Sequence, residues 1–353
     1  MGLDIGGANT KAAFLCTKDG EVAELKTASE YFPVWKDKNK LASVLLALKK
    51  RLSGAAQLDG VGVTMTAELS DAYQTKREGV NHLLTCTSEA FADVPIFVLD
   101  VDATLRPIDS AKMEPLRVAA ANWAATGWMV SQLIKTCVIV DIGSTSTSII
   151  PIVDGRVAAA GKTDLEKLKC GELVYTGTLR TNVASIVRSV PIRNGRARVS
   201  SELFAQSGDV HLILGNITTK EYTSETADGR GKTLHEAMAR LARVVCADIE
   251  MLTEQELLEM ARYIYSKQVE QVAEGLNEVY SRVKALANGE VPVVVTGIGK
   301  NFLARAAAEK IGADKIIDLG ELLSGDATVA SPAVGVALMM ASKLEGRIIK
   351  WKQ

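Results

Sequence analysis

The sequence predicts an α/β protein made of two copies of one domain, and three observations support this fold class. The chain has 353 residues, a length that suits two domains of about 150 residues each. Apolar patterns typical of strands and of helices alternate along it. Asp-Ile-Gly occurs at residues 4–6 and again at 141–143, and so long a period indicates a duplicated domain rather than a solenoid.

The composition is that of a globular protein and excludes several classes. Hydrophobic residues make up 47% and charged residues 24% of the chain, which argues against a disordered or fibrous protein. A net charge of −1 and an aromatic content of 5% provide neither the basic surface nor the stacking platforms that nucleic acid requires. We therefore expect no nucleic-acid partner.

The cysteines, the histidines and the first residues indicate a cytoplasmic protein without a zinc site. The five cysteines are far apart and form no CxxC pair, and the three histidines lack the i, i+4 spacing of a helical metal site. The N-terminal segment carries Asp4 and has no apolar core, so we expect no signal peptide. The longest uncharged stretch, Val118 to Ile134, is too short and too polar for a membrane span.

Each copy of the repeated unit is predicted to be a hairpin. A short apolar strand ends in Asp-Ile-Gly, small polar residues turn the chain, and a second strand runs back to Asp19-Gly20 or to Asp154-Gly155. Two strands joined by so few residues pair antiparallel.

The turns of both hairpins have the composition of anion-binding loops. Glycines allow a phosphate to approach the backbone, and N–H groups and hydroxyls surround it. The predicted phosphate-binding residues are Gly6, Gly7, Asn9, Thr10 and Lys11 in the first loop and Gly143, Ser144, Thr145 and Ser146 in the second. Asp4 and Asp141 are expected to face each other across a cleft and to hold Mg²⁺. Taken singly, each loop could also be an ordinary hairpin turn.

The remaining elements follow from local patterns. The sequence predicts a helix at 40–52, strands at 60–65 and 96–99, a buried helix at 118–134, a strand at 138–140, a helix at 233–247, a long helix opened by a Thr253–Glu256 capping box, a helix at 302–311 and a last helix at 332–342. In the long helix, apolar residues recur every three and four positions from Val269 to Leu286. This seam is expected to pack on its own sheet, with a homodimer interface as the alternative.

Two polar segments that follow predicted strands are candidates for the ligand site, because strand ends in such sheets line ligand crevices. The strand at 60–65 leads into Thr66 and Glu68, a candidate general base, and then into Lys76 and Arg77, a candidate anion clamp. The alternative is a solvated loop of mixed charge. The strand at 293–296 leads into a glycine turn at Gly297 and Gly299.

Three further segments have alternative interpretations. Thr176, Gly177 and Arg180 could bind substrate or belong to a strand pair, and Asp209 offers a carboxylate ahead of an apolar strand. The segment 221–232, with Asp228 and Arg230, is either a mobile arm that closes on an anion or a surface insertion.

The duplicated hairpins and the later glycine turn resemble the phosphate loops of the acetate/sugar kinase, Hsp70 and actin superfamily. That resemblance implies two ribonuclease-H-like domains with a ligand cleft between them. The first domain would comprise residues 1–115 and 331–353 and the second residues 136–330, with a connecting helix at 116–135.

Several segments resemble a narrower family, the hydantoinase-A/oxoprolinase-related proteins linked to tetrahydromethanopterin-dependent one-carbon metabolism. The most specific are VTMTAELSDAYQTKREGV and TADGRGKT, supported by LDIGGANTK, VDIGSTSTSIIPI and YTGTLRT. The family's second loop usually ends in Asp where this chain has Ser148, which puts a metal or phosphate role at that position in question.

The family resemblance implies a transferase of methanofuran biosynthesis. It would join the phenol oxygen of γ-glutamyltyramine to [5-(aminomethyl)furan-3-yl]methyl diphosphate and release diphosphate. Glu68 would take the phenol proton, while Mg²⁺ on Asp4 and Asp141 and cations such as Lys76 and Arg230 would stabilise the leaving group. ATP binding is possible, but this reaction does not require it. The alternatives are an ATP-dependent small-molecule kinase, a hydantoinase/oxoprolinase-like hydrolase, and a non-catalytic nucleotide-binding regulatory protein.

Overall fold

In the computed structural model, which describes residues 1–323, 327–328 and 330–351, the chain forms two compact units. Unit 1 comprises Met1–Val138, Ile150–Lys169 and Ile317–Gln353, and unit 2 comprises Ile139–Ile149 and Cys170–Ile316. The last two residues of the predicted 331–353 segment lie outside the described residues.

The first sheet has six strands: β1 (Gly2–Ile5), β2 (Asn9–Lys18), β3 (Glu21–Tyr31), β4 (Val61–Met65), β5 (Ile96–Leu99) and β6 (Leu105–Pro107). Their order is β3-β2-β1-β4-β5-β6, with β1 antiparallel to β2 and parallel to β4, and β4 parallel to β5. The order 3-2-1-4-5 is that of a ribonuclease-H-like sheet, so the predicted fold class is confirmed here.

The helices of unit 1 are α1 (Leu41–Ser53), α2 (Lys76–Ala90), α3 (Ile108–Met113), α4 (Pro115–Val118), α5 (Asn122–Ser131) and α6 (Asp164–Lys169), together with α12 (Leu319–Leu322) and α13 (Ser331–Glu345) late in the chain. The helix α13 lies directly on the backbone of β1 and β4. A Cβ added at Gly2 or at Gly62 would come within 3 Å of the Ala333 or Val336 carbonyl oxygen, respectively. The strand glycines therefore permit this close packing.

The predicted continuous helix at 118–134 is wrong at its start. The helix α4 ends at Val118, and α5 begins only at Asn122. Between them Ala120 has a φ of 51°, in the left-handed region that an alanine adopts at a cost of about 1–2 kcal/mol. The three consecutive alanines favour helix, and no Gly or Pro signals the break.

The second sheet repeats the order of the first. Its strands are β7 (Cys137–Ile142), β8 (Thr147–Val153), β9 (Arg156–Val157), β10 (Leu173–Val174), β13 (Pro292–Gly297) and β14 (Lys315–Asp318). The order is β10-β8-β7-β13-β14, and β9 also pairs with β8. The series β8-β7-β13-β14 therefore matches β2-β1-β4-β5 of the first sheet.

The Asp-Gly turns confirm the duplication in detail. Asp19 and Gly20 have φ values of 57° and 83°, and Asp154 and Gly155 have 50° and 72°. Two successive residues with positive φ are the signature of a type I′ hairpin turn, for which Asp-Gly is a preferred pair. The same local sequence thus forms the same turn in each copy.

Unit 2 also contains α7 (Val183–Ile186), α8 (Ser207–Ile213), α9 (Leu234–Arg243), α10 (Glu254–Leu286) and α11 (Arg305–Lys310), and the separate strand pair β11 (Ser189–Ile192) and β12 (Gly195–Arg198). The predicted capping box at Thr253 and Glu256 opens α10. The seam of α10 is buried from Val269 to Val283, and Gly275 lies against Val174 of β10. Packing of the seam on its own unit is confirmed.

The predicted helix at 302–311 begins as a π-helical turn, Lys300–Ala304, before α11. Within the described ranges of the chain, no helix combines the length and the apolar character needed to cross a bilayer.

Candidate functional site

The first loop, Gly6–Ala8, joins β1 to β2 in unit 1. The Gly6 N–H donates to the Asn9 carbonyl oxygen over 3.1 Å, and a Cβ at Gly6 would lie 2.6 Å from that oxygen, so the turn requires glycine. A Cβ at Gly7 would meet no atom within 4 Å. The loop is therefore anchored at Gly6 and open at Gly7, as an anion cradle needs to be.

The second loop, Gly143–Ser146, has the same backbone bond at the equivalent position. The Gly143 N–H donates to the Ser146 carbonyl oxygen over 3.0 Å. The Ser144 carbonyl oxygen accepts from the Leu179 and Arg180 N–H groups, at 2.9 and 3.0 Å. The two loops, which the sequence predicts to be copies of one unit, therefore share the same backbone hydrogen bond.

The predicted segment around Gly177 forms a platform under the second loop. A Cβ at Gly177 would lie 2.6 Å from the Thr145 carbonyl carbon and 2.7 Å from the Ser146 nitrogen. The Arg180 Nη1 donates to Thr145 Oγ1 over 3.2 Å. The structure thus brings Thr176, Gly177 and Arg180 to the loop residues of unit 2.

A buried polar network supports this platform from the core of unit 2. The Gln268 side-chain amide donates to Thr176 Oγ1 at 2.9 Å and to the Gly177 carbonyl oxygen at 2.8 Å. His211 Nε2 lies 3.0 Å from Gln268 Oε1, and Asn216 Nδ2 lies 3.2 Å from His211 Nδ1. A neutral ring protonated at Nε2 satisfies every bond, and burial lowers the pKa of His211 to about 4. The network holds the platform under the second loop in a single arrangement.

The predicted glycine turn after β13 adjoins Asp141. Gly297 has a φ of 85°, and a Cβ there would collide with the Ile142 carbonyl oxygen and with Asp141 Oδ1. The Gly299 N–H donates to the Ile142 carbonyl oxygen over 3.2 Å. The structure therefore brings Gly297 and Gly299 to the end of β7.

The corresponding carboxylate of unit 1 is Asp4, which is buried near the end of β1. Asp4 is the cross-strand partner of Lys11 on β2 and of Thr64 on β4. Thr10, one position earlier on β2, is fully buried. The Thr66 N–H donates to the Ile5 carbonyl oxygen over 2.9 Å, which places Thr66 beside the first loop.

Asp4 in unit 1 and Asp141 in unit 2 each carry a carboxylate, a donor type that Mg²⁺ accepts. Mg²⁺ prefers hard oxygen donors and is usually held by one or two carboxylates, several waters and the phosphates of the substrate. Among the described residues no three His, Cys, Asp or Glu side chains form a metal-binding group. The facing of the two carboxylates and their shared metal stay a prediction.

Glu68 is a strongly perturbed carboxylate of unit 1, in the 3₁₀ turn Ala67–Leu69 directly after β4. Its exposed fraction is 1%, and neither carboxylate oxygen has a hydrogen bond of good geometry to a described residue. Burial raises the pKa of Glu68 to about 7, against the lowering effects of Lys76 and of the Glu68 and Ala120 backbone N–H groups. At neutral pH Glu68 can therefore take up or release a proton.

Lys76, at the start of α2, is shared between two carboxylates. Its Nζ lies 2.6 Å from Asp164 Oδ2 but 3.9 Å from Glu68 Oε1. Asp164 also acts directly on Glu68, since its negative charge raises the Glu68 pKa. A Cβ at Gly79 would lie 2.6 Å from Glu68 Cα, so α2 packs tightly on the turn. The neighbouring Arg77 side chain is exposed.

Asp209 and Asp228 face arginines instead of the loops. The fully buried Arg240 contacts Asp209 Oδ1 through Nε at 2.9 Å and Asp228 Oδ1 through Nη1 at 3.2 Å. Arg243 Nη1 lies 3.0 Å from Asp228 Oδ2, and the Arg230 side chain is exposed. The segment 221–232 is therefore fastened by ion pairs, and a ligand role for these three residues stays a prediction.

The strand expected after Asp209 is wrong. Residues 207–213 form α8, in which the Asp209 carboxylate accepts from the Gln206 N–H and caps the first turn. Ser148 lies on β8 opposite Leu173.

Sequence reasoning missed three residues that shape the site: Asp164, His211 and Gln268. Thr163 and Glu166 carry a capping signature that could have located the helix containing Asp164. No sequence signal indicates its contact with Lys76 or the buried pairing of His211 with Gln268.

Comparison with known proteins gives two kinds of match. Residues 59–342 match the hydantoinase/oxoprolinase family. The chain is 38% identical over 346 residues, 98% of both proteins, to (4-{4-[2-(γ-L-glutamylamino)ethyl]phenoxymethyl}furan-2-yl)methanamine synthase of Methanocaldococcus jannaschii. It is 35% identical over 222 residues to the Methanococcus vannielii protein of the same name, covering 62% of this chain and 97% of that one.

Among solved structures, nucleotide-free acetone carboxylase aligns with a TM-score of 0.60 at 10% sequence identity, covering 96% of this chain and 69% of that one. At this identity the likeness establishes the fold alone.

Proposed function

Because the chain belongs to the hydantoinase/oxoprolinase family, we propose that it acts as its two synthase relatives do, as a transferase of methanofuran biosynthesis. The observation that carries this proposal is the 38% identity to the Methanocaldococcus jannaschii synthase over 98% of both chains. That match and the family match over residues 59–342 both include the Glu68 segment and the second loop.

The name of the relatives' product specifies the bond that is made. It contains a phenoxymethyl ether between a phenol bearing a γ-glutamylaminoethyl group and an aminomethylfuran. We propose γ-glutamyltyramine and [5-(aminomethyl)furan-3-yl]methyl diphosphate as the substrates. The phenol oxygen bonds to the furylmethyl carbon, the bond from that carbon to the diphosphate oxygen breaks, and the phenol proton leaves.

Both loops would stabilise the departing diphosphate. Their N–H groups and hydroxyls, with Lys11 and Arg180, supply donors to an anion whose charge grows as the bond breaks. Asp4 and Asp141 would hold Mg²⁺, which supplies charge neutralisation to the diphosphate when bound. The furan ring delocalises positive charge at the furylmethyl carbon, so assistance to the leaving group is the main catalytic requirement.

Glu68 would act as the general base. The phenol pKa is about 10, and a carboxylate whose pKa is about 7 is a stronger base than one of ordinary pKa. The dry surroundings of Glu68 thus adapt a carboxylate to phenol deprotonation at neutral pH.

The test mixes purified protein, Mg²⁺ and both substrates without ATP, and measures diphosphate together with the ether by mass spectrometry. We expect equal amounts of the two products. Glu68→Gln should lower kcat by about 10²–10⁴-fold, the usual contribution of a general base. Glu89→Gln, an exposed change on α2, is the matched control. Absence of diphosphate release, or formation of ADP when ATP is supplied, would contradict the proposal.

Cytoplasmic localisation and the homodimer stay predictions.

A further inference from the structure

A cavity of about 360 Å³ within unit 1 has no role in the mechanism above. Its walls include Val101, Asp102, Trp128, Arg156 and Lys162. Charged groups of both signs stand beside an indole and aliphatic side chains. That combination suits a ligand with a charged end and an apolar stem.

Two short segments connect this cavity with the Glu68 site. Lys162, in the cavity wall, lies two residues before Asp164, which holds Lys76. The second segment runs from Arg117, which forms an ion pair with Asp102 of the wall, to Ala120, whose N–H acts on the Glu68 carboxylate.

The sheet topology supports the same proximity. Glu68 follows β4, and Val101 follows its parallel neighbour β5, at the same edge of the sheet. Carboxyl ends of parallel strands form the ligand crevice in such sheets.

The charges of the wall are arranged for a zwitterion. Lys162 Nζ lies 3.1 Å from Asp102 Oδ1, and Arg117 also contacts Asp102. Arg156 is exposed and has no ion-pair partner within the part of the chain that the structure describes. Arg117 is shared with Asp100 and Glu114 outside the wall. A ligand carboxylate therefore finds the Arg156 guanidinium, and a ligand ammonium can take the place of Lys162 at Asp102.

We propose that this cavity binds the α-amino-acid end of the phenolic substrate, with its α-carboxylate at Arg156 and Lys162 and its α-ammonium at Asp102. The assignment rests on the proposed function, in which that substrate is γ-glutamyltyramine. Its α-carbon and phenol oxygen are roughly 13 Å apart when extended, from standard bond lengths. The stem would lie along Trp128, and the phenol would reach Glu68.

This subsite makes the γ-glutamyl group a determinant of specificity. Tyramine carries the same phenol but has no α-amino acid, so it leaves the wall charges without a partner. We expect kcat/KM to be at least a hundredfold higher for γ-glutamyltyramine than for tyramine, because a site built for polar groups rejects an analogue that lacks them.

The experiment compares the two phenols as ligands and as substrates of wild type and of Arg156→Met. Calorimetry without the diphosphate should show Kd for γ-glutamyltyramine at least tenfold below that for tyramine, and Arg156→Met should abolish the difference. In turnover, Arg156→Met should lower kcat/KM for γ-glutamyltyramine at least tenfold and leave the value for tyramine within twofold. Lys18→Met, an exposed change beside the other Asp-Gly turn, should change neither.

Equal affinity of wild type for the two phenols, or an equal loss for both in Arg156→Met, would overturn the cavity assignment. A preserved binding preference without any diphosphate release would instead overturn the proposed reaction and leave the cavity assignment standing.

Discussion

Replacing Glu68 by Gln should stabilise the fold at alkaline pH while it removes the proposed base. Burial raises the pKa of Glu68 from 4.5 to about 7, so the folded protein holds this proton more tightly than the unfolded chain does. The free energy of unfolding therefore falls as pH rises from 4.5 to 7, and the loss is complete above 7. The glutamine side chain of the variant has no charge to bury and escapes that loss.

The size of the effect follows from the two pKa values. The interval from 4.5 to about 7 corresponds to about 3 kcal/mol at high pH, at 1.36 kcal/mol for each pKa unit. Because part of the loss is already present at about pH 5, the stability of Glu68→Gln relative to wild type should increase by about 2–3 kcal/mol between about pH 5 and about pH 8.

Urea unfolding of both proteins at the two pH values measures this gain. Glu89→Gln serves as the control and should show the same difference from wild type at both pH values. A Glu68→Gln variant whose stability relative to wild type does not change with pH would refute the buried, high-pKa assignment.

Three further predictions concern the surroundings of the site. In Asp164→Asn, the Lys76 ammonium is no longer held by Asp164 and can move from 3.9 Å to about 2.8 Å from the Glu68 carboxylate. The Coulomb attraction between the two charges then strengthens by about 1.7 kcal/mol at an effective dielectric constant of 20. The acid limb of the pH–rate profile should then shift down by about one pH unit. Gly177→Ala forces a methyl group against the second loop and should lower the rate of diphosphate release at least tenfold, with a stability loss of about 1–3 kcal/mol. Because burial lowers the pKa of His211 to about 4, its contribution to stability is fully present above 6.5 and falls toward pH 4; NMR should find its ring neutral at pH 6.

Each of these has a control or a contradicting result. Asp109→Asn, an exposed change in unit 1, should not shift the pH–rate profile. An acid limb that does not shift in Asp164→Asn would contradict the competition between Asp164 and Glu68 for Lys76. Gly195→Ala, where an added Cβ meets no atom within 4 Å, should retain full activity. A His211 ring that titrates near 6.5 would show that the network is open to water.

The parts of the fold and site that could be predicted from sequence are encoded locally. The Asp-Gly pairs fix hairpin turns by their own φ preferences, and the small residues after Asp-Ile-Gly fix the loops. The turn residues and the single arginine around Gly177 indicate either a substrate contact or a strand pair, and the structure decides between them by packing this segment under the second loop. Glu68 is a candidate from sequence because it follows a buried strand.

The parts that could not be predicted depend on distant contacts or weak local preferences. Asp164 meets Lys76 across 88 positions, and His211 meets Gln268 across 57; a single sequence has no period or spacing that indicates either pair. The short apolar run after Asp209 is compatible with a strand or with a helix. The helix is stabilised by its N-terminal cap, in which the Asp209 carboxylate accepts from the Gln206 N–H. The break at Ala120 is imposed against a local helix preference.

The placement of α13 on β1 and β4 bears on how the protein is made. These strands leave the ribosome early. The helix that covers them, Ser331–Glu345, is translated more than 260 residues after β4, a delay of about 13–50 s at about 5–20 residues per second. Until then one face of the nascent sheet stays uncovered and open to chaperones. Unit 2, whose last residue is Ile316, can therefore fold first, although the chain begins with unit 1.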